Sequence, residues 1–194
     1  MGLSIHYSGK FKKGASLPQM IEEVEDIAKI YKWKYFVFDT DFPAQSLDKE
    51  TYNQRIYGIN FTPPECETVS LTFLSNGRMS SLPHLKFFGK TAAQTEQEYL
   101  YMLSVKTQYA GIETHKIIIH LLKYLNKKYF SEFKVTDEGQ YWETGDEERL
   151  KEVFARYNKL IDQFASSVEN FPIKKGESFM EYFERLLDQI RKEK

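Results

Sequence analysis

Leu103-Ser104-Val105, a helical pattern opened by Gly111 and closing near Tyr129, and Phe133-Lys134-Val135-Thr136-Asp137 read together as strand, amphipathic helix, strand. The same frame occurs earlier in the chain. Leu3-Ser4-Ile5 leads to a break at Gly9, a helix closing at Tyr31, and Tyr35-Phe36-Val37-Phe38-Asp39. The two frames are nearly equal in length, and each second strand stops on an aspartate. A duplicated β-α-β unit would produce this pattern, although identity between the copies is thin enough for coincidence to produce it too.

Working outward, Ser16 stands at an N-cap position with Pro18 just inside, and Leu17, Met20, Ile21, Val24, Ile27, Ala28 and Tyr31 follow at helical spacing. Residues 41 to 55 are polar and carry Pro43, which predicts a loop or a short irregular helix. Tyr57 to Phe61 resumes a strand that Pro63-Pro64 ends. Val69, Leu71 and Phe73 alternate with Ser70 and Thr72, and Asn76-Gly77 supplies two positive-φ positions for a tight antiparallel hairpin. Residues 89 to 98 are polar, and Tyr99 to Tyr109 reads as one long strand entering the second frame.

In the second helix Ile118, Leu121, Leu122, Leu125 and Tyr129 face inward, while Lys116, His120, Lys123 and Lys127 share an outer basic stripe. A solvated face explains that stripe most simply, with an acidic partner as the alternative. Thr144-Gly145-Asp146-Glu147 has the form of a capping box before a long periodic helix through Leu150, Phe154, Tyr157, Ile161, Phe164 and Val168. Phe171-Pro172 breaks it. Ser178 with Glu181 offers a second capping box, before a final helix marked by Phe179, Phe183, Leu186, Leu187 and Ile190.

The chain has 194 residues, 41% apolar and 28% charged, with a net charge of -1, which is the balance of a soluble globular protein and fits one domain, residues 1–194, with 145–194 as a C-terminal helical extension. No membrane span is indicated, and nucleic acid is not expected as a partner, because phosphate neutralisation needs a concentrated basic face. Cys66 is the single cysteine. An internal disulfide and a cysteine-based zinc site are therefore excluded, no other metal site or cofactor is expected, and a cytoplasmic setting is the default, with no targeting signal at the N-terminus. The 13 Tyr and 15 Phe suit an aromatic core in a sheet-containing protein, or a stacking surface for a ligand.

Two stretches carry candidate chemistry. Phe36-Val37-Phe38-Asp39-Thr40-Asp41 is an apolar strand running into two carboxylates, which can supply a nucleophile and an acid beside a magnesium ion. It resembles the first motif of the haloacid-dehalogenase phosphotransferases, which implies Asp39 as nucleophile and Asp41 as acid/base, with Leu71-Thr72-Phe73-Leu74-Ser75 as a second motif. The sequence departs from that family at Pro43, in having its strand and helix before the first motif, and in lacking a late acidic pair. The second stretch, residues 137 to 146, concentrates Asp137, Glu138, Tyr141, Trp142 and Glu143, the acids and rings expected of a ligand-binding loop. A turn at Gly139, a buried Trp142 anchor and a helix cap at Thr144 explain it more plainly. The four histidines do not cluster: His115 and His120 miss helical metal-pair spacing, and Ser8, Ser104 and Cys66 gain no paired base.

Ser4-Ile5-His6-Tyr7-Ser8-Gly9, Ser104 to Gly111 and the 137–146 cluster resemble an uncharacterised family of small bacterial proteins with no assigned activity, so the resemblance implies no catalytic residue. The order of elements predicts an α+β fold with a largely antiparallel sheet, helices on one face and a C-terminal helical pair. It resembles the TATA-box-binding-protein-like and ferredoxin-like arrangements. The functional expectation is a non-enzymatic module binding a small ligand or a protein, through the uncovered sheet face and the 137–146 loop. The alternative is the magnesium-dependent phosphotransferase, and a subunit of a larger assembly, the third reading, predicts a sizeable apolar patch.

Overall fold

The computed structural model describes residues 2–91 and 93–192. The expected α+β class holds, with the strands divided between two three-stranded antiparallel sheets. In the first sheet β1 (Ser4–Phe11) lies between β5 (Leu103–Lys106) and β6 (Phe130–Asp137). The second is β2 (Lys34–Val37), β3 (Tyr57–Thr62) and β4 (Val69–Phe73), in that order.

β1 alternates as a half-buried strand should. Ile5, Tyr7 and Phe11 go to the core, while His6 stays exposed in a row with Ser104 and Thr136. Gly9 does not end the strand. A register shift between Ser8 and Lys10 marks a bulge there, and pairing with β6 continues to Phe11. On the opposite edge β5 covers only Ser4 to Tyr7, and the rest is filled by Gly77 to Met79 through Phe11 N to Gly77 O (2.7 Å) and Met79 N to Gly9 O (2.9 Å). Met79 also bridges Phe73, so this short segment couples the two sheets.

The turn that delivers it is the predicted one at Asn76-Gly77, but only Gly77 has positive φ (79°), and the returning arm stops at Met79. The chain then forms α2 (Leu82–Phe88) and α3 (Gln94–Tyr99), so the long strand expected from Tyr99 to Tyr109 is confined to β5. Ser81 caps α2 by accepting from His84 N at 3.3 Å.

Two longer helices cover the core. α1 (Leu17–Ile30) is capped as expected, Ser16 Oγ accepting from Gln19 N, and buries Leu17, Met20, Ile21, Val24 and Ala28. It ends in a Schellman closure, with Trp33 N donating to Ala28 O (2.8 Å), Lys32 N to Lys29 O (3.1 Å), and Lys32 held at φ 56°. α4 (Gly111–Tyr129) packs on β6 and beside α1, burying the expected Ile118, Leu121, Leu122, Leu125 and Tyr129. Phe11, Phe42, Phe73, Tyr129 and Phe130 join around the junction of the two sheets. The two frames occupy unequal places: β5-α4-β6 straddles β1 within one sheet, whereas β1-α1-β2 passes from one sheet to the other.

After β6 come α5 (Tyr141–Thr144), α6 (Glu147–Asn170) and α7 (Phe179–Lys192). Asp146, not Thr144, caps α6, taking Glu148 N and Arg149 N, because Thr144 Oγ1 is engaged by Gln140 O and Asp146 N. The Ser178–Glu181 capping box forms reciprocally, as expected. The side chain of Ile190, placed with the apolar face of α7, lies outside the described residues. Among the described residues no helix is long and apolar enough to cross a membrane.

Candidate functional site

Asp137 closes β6 with its carboxylate buried and saturated. Oδ1 accepts from Gly139 N (2.8 Å) and Oδ2 from Tyr141 N (2.8 Å) and Trp142 N (2.9 Å), so the side chain winds the following residues into α5. His115, fully buried on α4, brings Nε2 to 3.1 Å from Asp137 Oδ1. That approach is close, yet Nε2 finds no well-formed hydrogen bond. Nδ1 of the same ring meets Thr107 Oγ1 at 2.7 Å. Gly139 packs against this ring so tightly that a Cβ would come within 2.8 Å of Nε2. Burial pushes the Asp137 pKa up, but the His115 imidazole and the backbone N–H groups of Trp142 and Gly139 outweigh it and hold the carboxyl below its ordinary value.

The other members of the cluster are spread around this brace. Glu138 accepts from Ser4 N at 2.7 Å and lies 3.7 Å from His6 Nε2, on the open side of the first sheet. Tyr141, not Trp142, is the buried anchor, and its hydroxyl meets His120 Nε2 at 3.3 Å. Trp142 is half-buried edge-on to Phe133, with Lys123 Nζ 5.5 Å from its ring centroid. Glu143 is exposed. Part of the basic stripe of α4 meets this region directly, since Lys116 also pairs with Glu147 at 2.8 Å. The structure thus brings Asp137, Tyr141 and Trp142 together as a folded support, with Glu138 and Glu143 at its rim.

Asp39 and Asp41 have different partners. Arg55 clamps Asp39 from two nitrogens, Nε at 2.7 Å and Nη2 at 3.1 Å, while Asp41 is exposed, accepts from Thr40 Oγ1 and lines a separate groove of about 550 Å³ beside the start of α1. No group of three or more His, Cys, Asp or Glu side chains is placed to hold a metal ion among the described residues. Cys66 donates weakly to Lys106 O, and burial, aided by Glu67, pushes its thiol up to about 12, which leaves no thiolate near neutral pH.

Sequence reasoning missed a cleft where the two sheets diverge, of about 360 Å³, lined by β3, β4 and β5, the start of α2 and Phe38. Asn60, Ser70, Thr72, His84 and Ser104 converge there from distant parts of the chain, and no local motif joins them. The alternation of Ser70 and Thr72 with apolar residues was the one visible signal. Comparison with protein-family models, curated proteins and solved structures gives no match.

Proposed function

We propose that this chain is a non-enzymatic interaction module that pairs with a second copy of itself through α6 and α7. One observation carries the reading. Leu160, Phe164 and Val168 on α6, and Phe179, Phe183 and Leu187 on α7, each recur at i, i+4, i+8, and all six are exposed. α7 folds onto α6 and buries Tyr182 and Leu186, so the seam is partly filled while its flanks stay open. With Ile173 and Met180, 59% and 69% exposed, these side chains offer on the order of 800 Å² of apolar surface, about what one partner contributes to a standard interface. A two-fold pairing of the helical hairpins makes a four-helix bundle, the usual way to bury such stripes.

A cytoplasmic setting belongs to the same proposal, supported by the single cysteine, and the near-neutral charge favours a protein partner over nucleic acid. Light scattering on the size-fractionated protein tests the pairing. Twice the monomer mass is expected across the micromolar range, reverting to the monomer in the Phe164→Asp, Phe183→Asp double variant with its helical circular dichroism intact. A wild-type protein that stays monomeric throughout that range overturns the proposal.

A further inference from the structure

The cleft between β4 and β5 is built differently from the rest of the surface. Its 360 Å³ falls within the range of small-molecule sites, which begins near roughly 300 Å³. No carboxylate, ammonium or guanidinium lines it among the described residues. Some of its hydroxyls are already spent, Thr72 Oγ1 on Ser80 O at 2.6 Å and Ser81 Oγ on His84 N. Others are not: the side chains of Asn60, Ser70 and Ser104 make no hydrogen bond among the described residues. His84 Nδ1 is shielded from solvent and has no partner either.

Burial holds the His84 pKa below its ordinary value, so near neutral pH the ring is uncharged and offers one donor and one acceptor. Phe38, Pro83 and Leu103 supply an apolar wall, against which the C–H face of a sugar ring packs. A charged ligand finds no counter-charge there to repay its lost hydration.

We propose that this cleft binds a neutral polyhydroxylated molecule of monosaccharide size, its hydroxyls engaging Asn60, Ser70 and Ser104 beside the uncharged His84 ring. The floor of the site is fixed in advance, because the backbone of Ser70 is bonded to Tyr7 of the other sheet. Binding therefore needs little reorganisation.

Amide-detected NMR titration of the full chain with glucose, galactose and mannose tests this, with glucose 6-phosphate and glucosamine as charged controls. Saturable shifts confined to residues 38, 60, 68–72, 81–84 and 103–104 are expected with at least one neutral hexose, and weaker or absent binding of both charged sugars. Asn60→Ala and Ser104→Ala should each weaken binding about tenfold, the scale of one lost hydrogen bond. Ser104 is exposed, so its variant keeps the test intact if Asn60→Ala fails to fold. Absence of saturable shifts with all three hexoses, tighter binding of a charged sugar, or affinity indifferent to Ser104→Ala overturns the proposal.

Discussion

The hydroxyl of Tyr7 both donates to the carbonyl of Ser70, at 3.1 Å, and accepts from its N–H, at 3.0 Å, so one buried side chain of β1 completes the backbone pairing of β4 in the other sheet. Burial, the largest influence, raises the Tyr7 pKa, and the phenol stays protonated and able to donate at any physiological pH. Removing that oxygen leaves two backbone groups with no partner across the gap between sheets. Tyr7→Phe should therefore cost about 1–3 kcal/mol in urea unfolding, with the far-ultraviolet spectrum preserved. A variant as stable as the wild type would show that water takes over both bonds.

Asp137 sets an acid limit on the fold. Its pKa is lower folded than unfolded, so its contribution is complete above the unfolded value, about 4, and is lost as pH falls through the lower folded value. Asp137→Asn should lower stability near neutral pH by about 1–3 kcal/mol, since an amide cannot accept three N–H bonds as well as a carboxylate. It should also flatten the decline in unfolding free energy below pH about 4. Parallel pH profiles for the two proteins would remove Asp137 from the account of acid sensitivity.

Lys32 occupies the left-handed position that ends α1, where a Cβ is disfavoured and glycine is the usual occupant. The two closing bonds are donated by the backbone N–H groups of Lys32 and Trp33, so Lys32→Gly changes strain and not connectivity. A gain of about 0.5–1 kcal/mol is expected, read as a higher urea midpoint at unchanged slope. A loss would mean the lysine stem contributes more packing than its backbone costs.

Asp39 and Arg55 form a two-pronged but half-exposed pair, and a double-mutant cycle should give a coupling under about 1 kcal/mol. Magnesium should leave the melting temperature unchanged in wild type and in Asp39→Asn alike. A magnesium-dependent rise that disappears in Asp39→Asn, together with turnover of a phosphate ester, would restore the phosphotransferase reading in place of the interaction module.

Local signals carried the helices well. The Ser16-Leu17-Pro18 cap and the inward face of α4 were readable because capping and helical period are short-range properties. Ser81-Leu82-Pro83 repeats the same capping string and marks α2, directly after a hairpin turn whose signal is the more conspicuous of the two. The region from Tyr99 to Tyr109 read as strand because its tyrosines and β-branched residues favour extended chain, whereas pairing with β1 selects only Leu103 to Lys106. The site was the least legible. Nothing in local spacing announces that His115 and Thr107 brace Asp137, or that Ser70 and Ser104 border one cleft, since those meetings are made by topology.

The placement of β1 imposes an order on synthesis. Residues 4 to 11 leave the ribosome well before the neighbours they need, which are residues 77 to 79, 103 to 106 and 130 to 137. Until β6 has emerged, the first strand has an uncovered edge and an apolar face carrying Ile5, Tyr7 and Phe11, so residues 12 to 129 are all made while this central strand is still vulnerable to a chaperone, a protease or a neighbouring nascent chain.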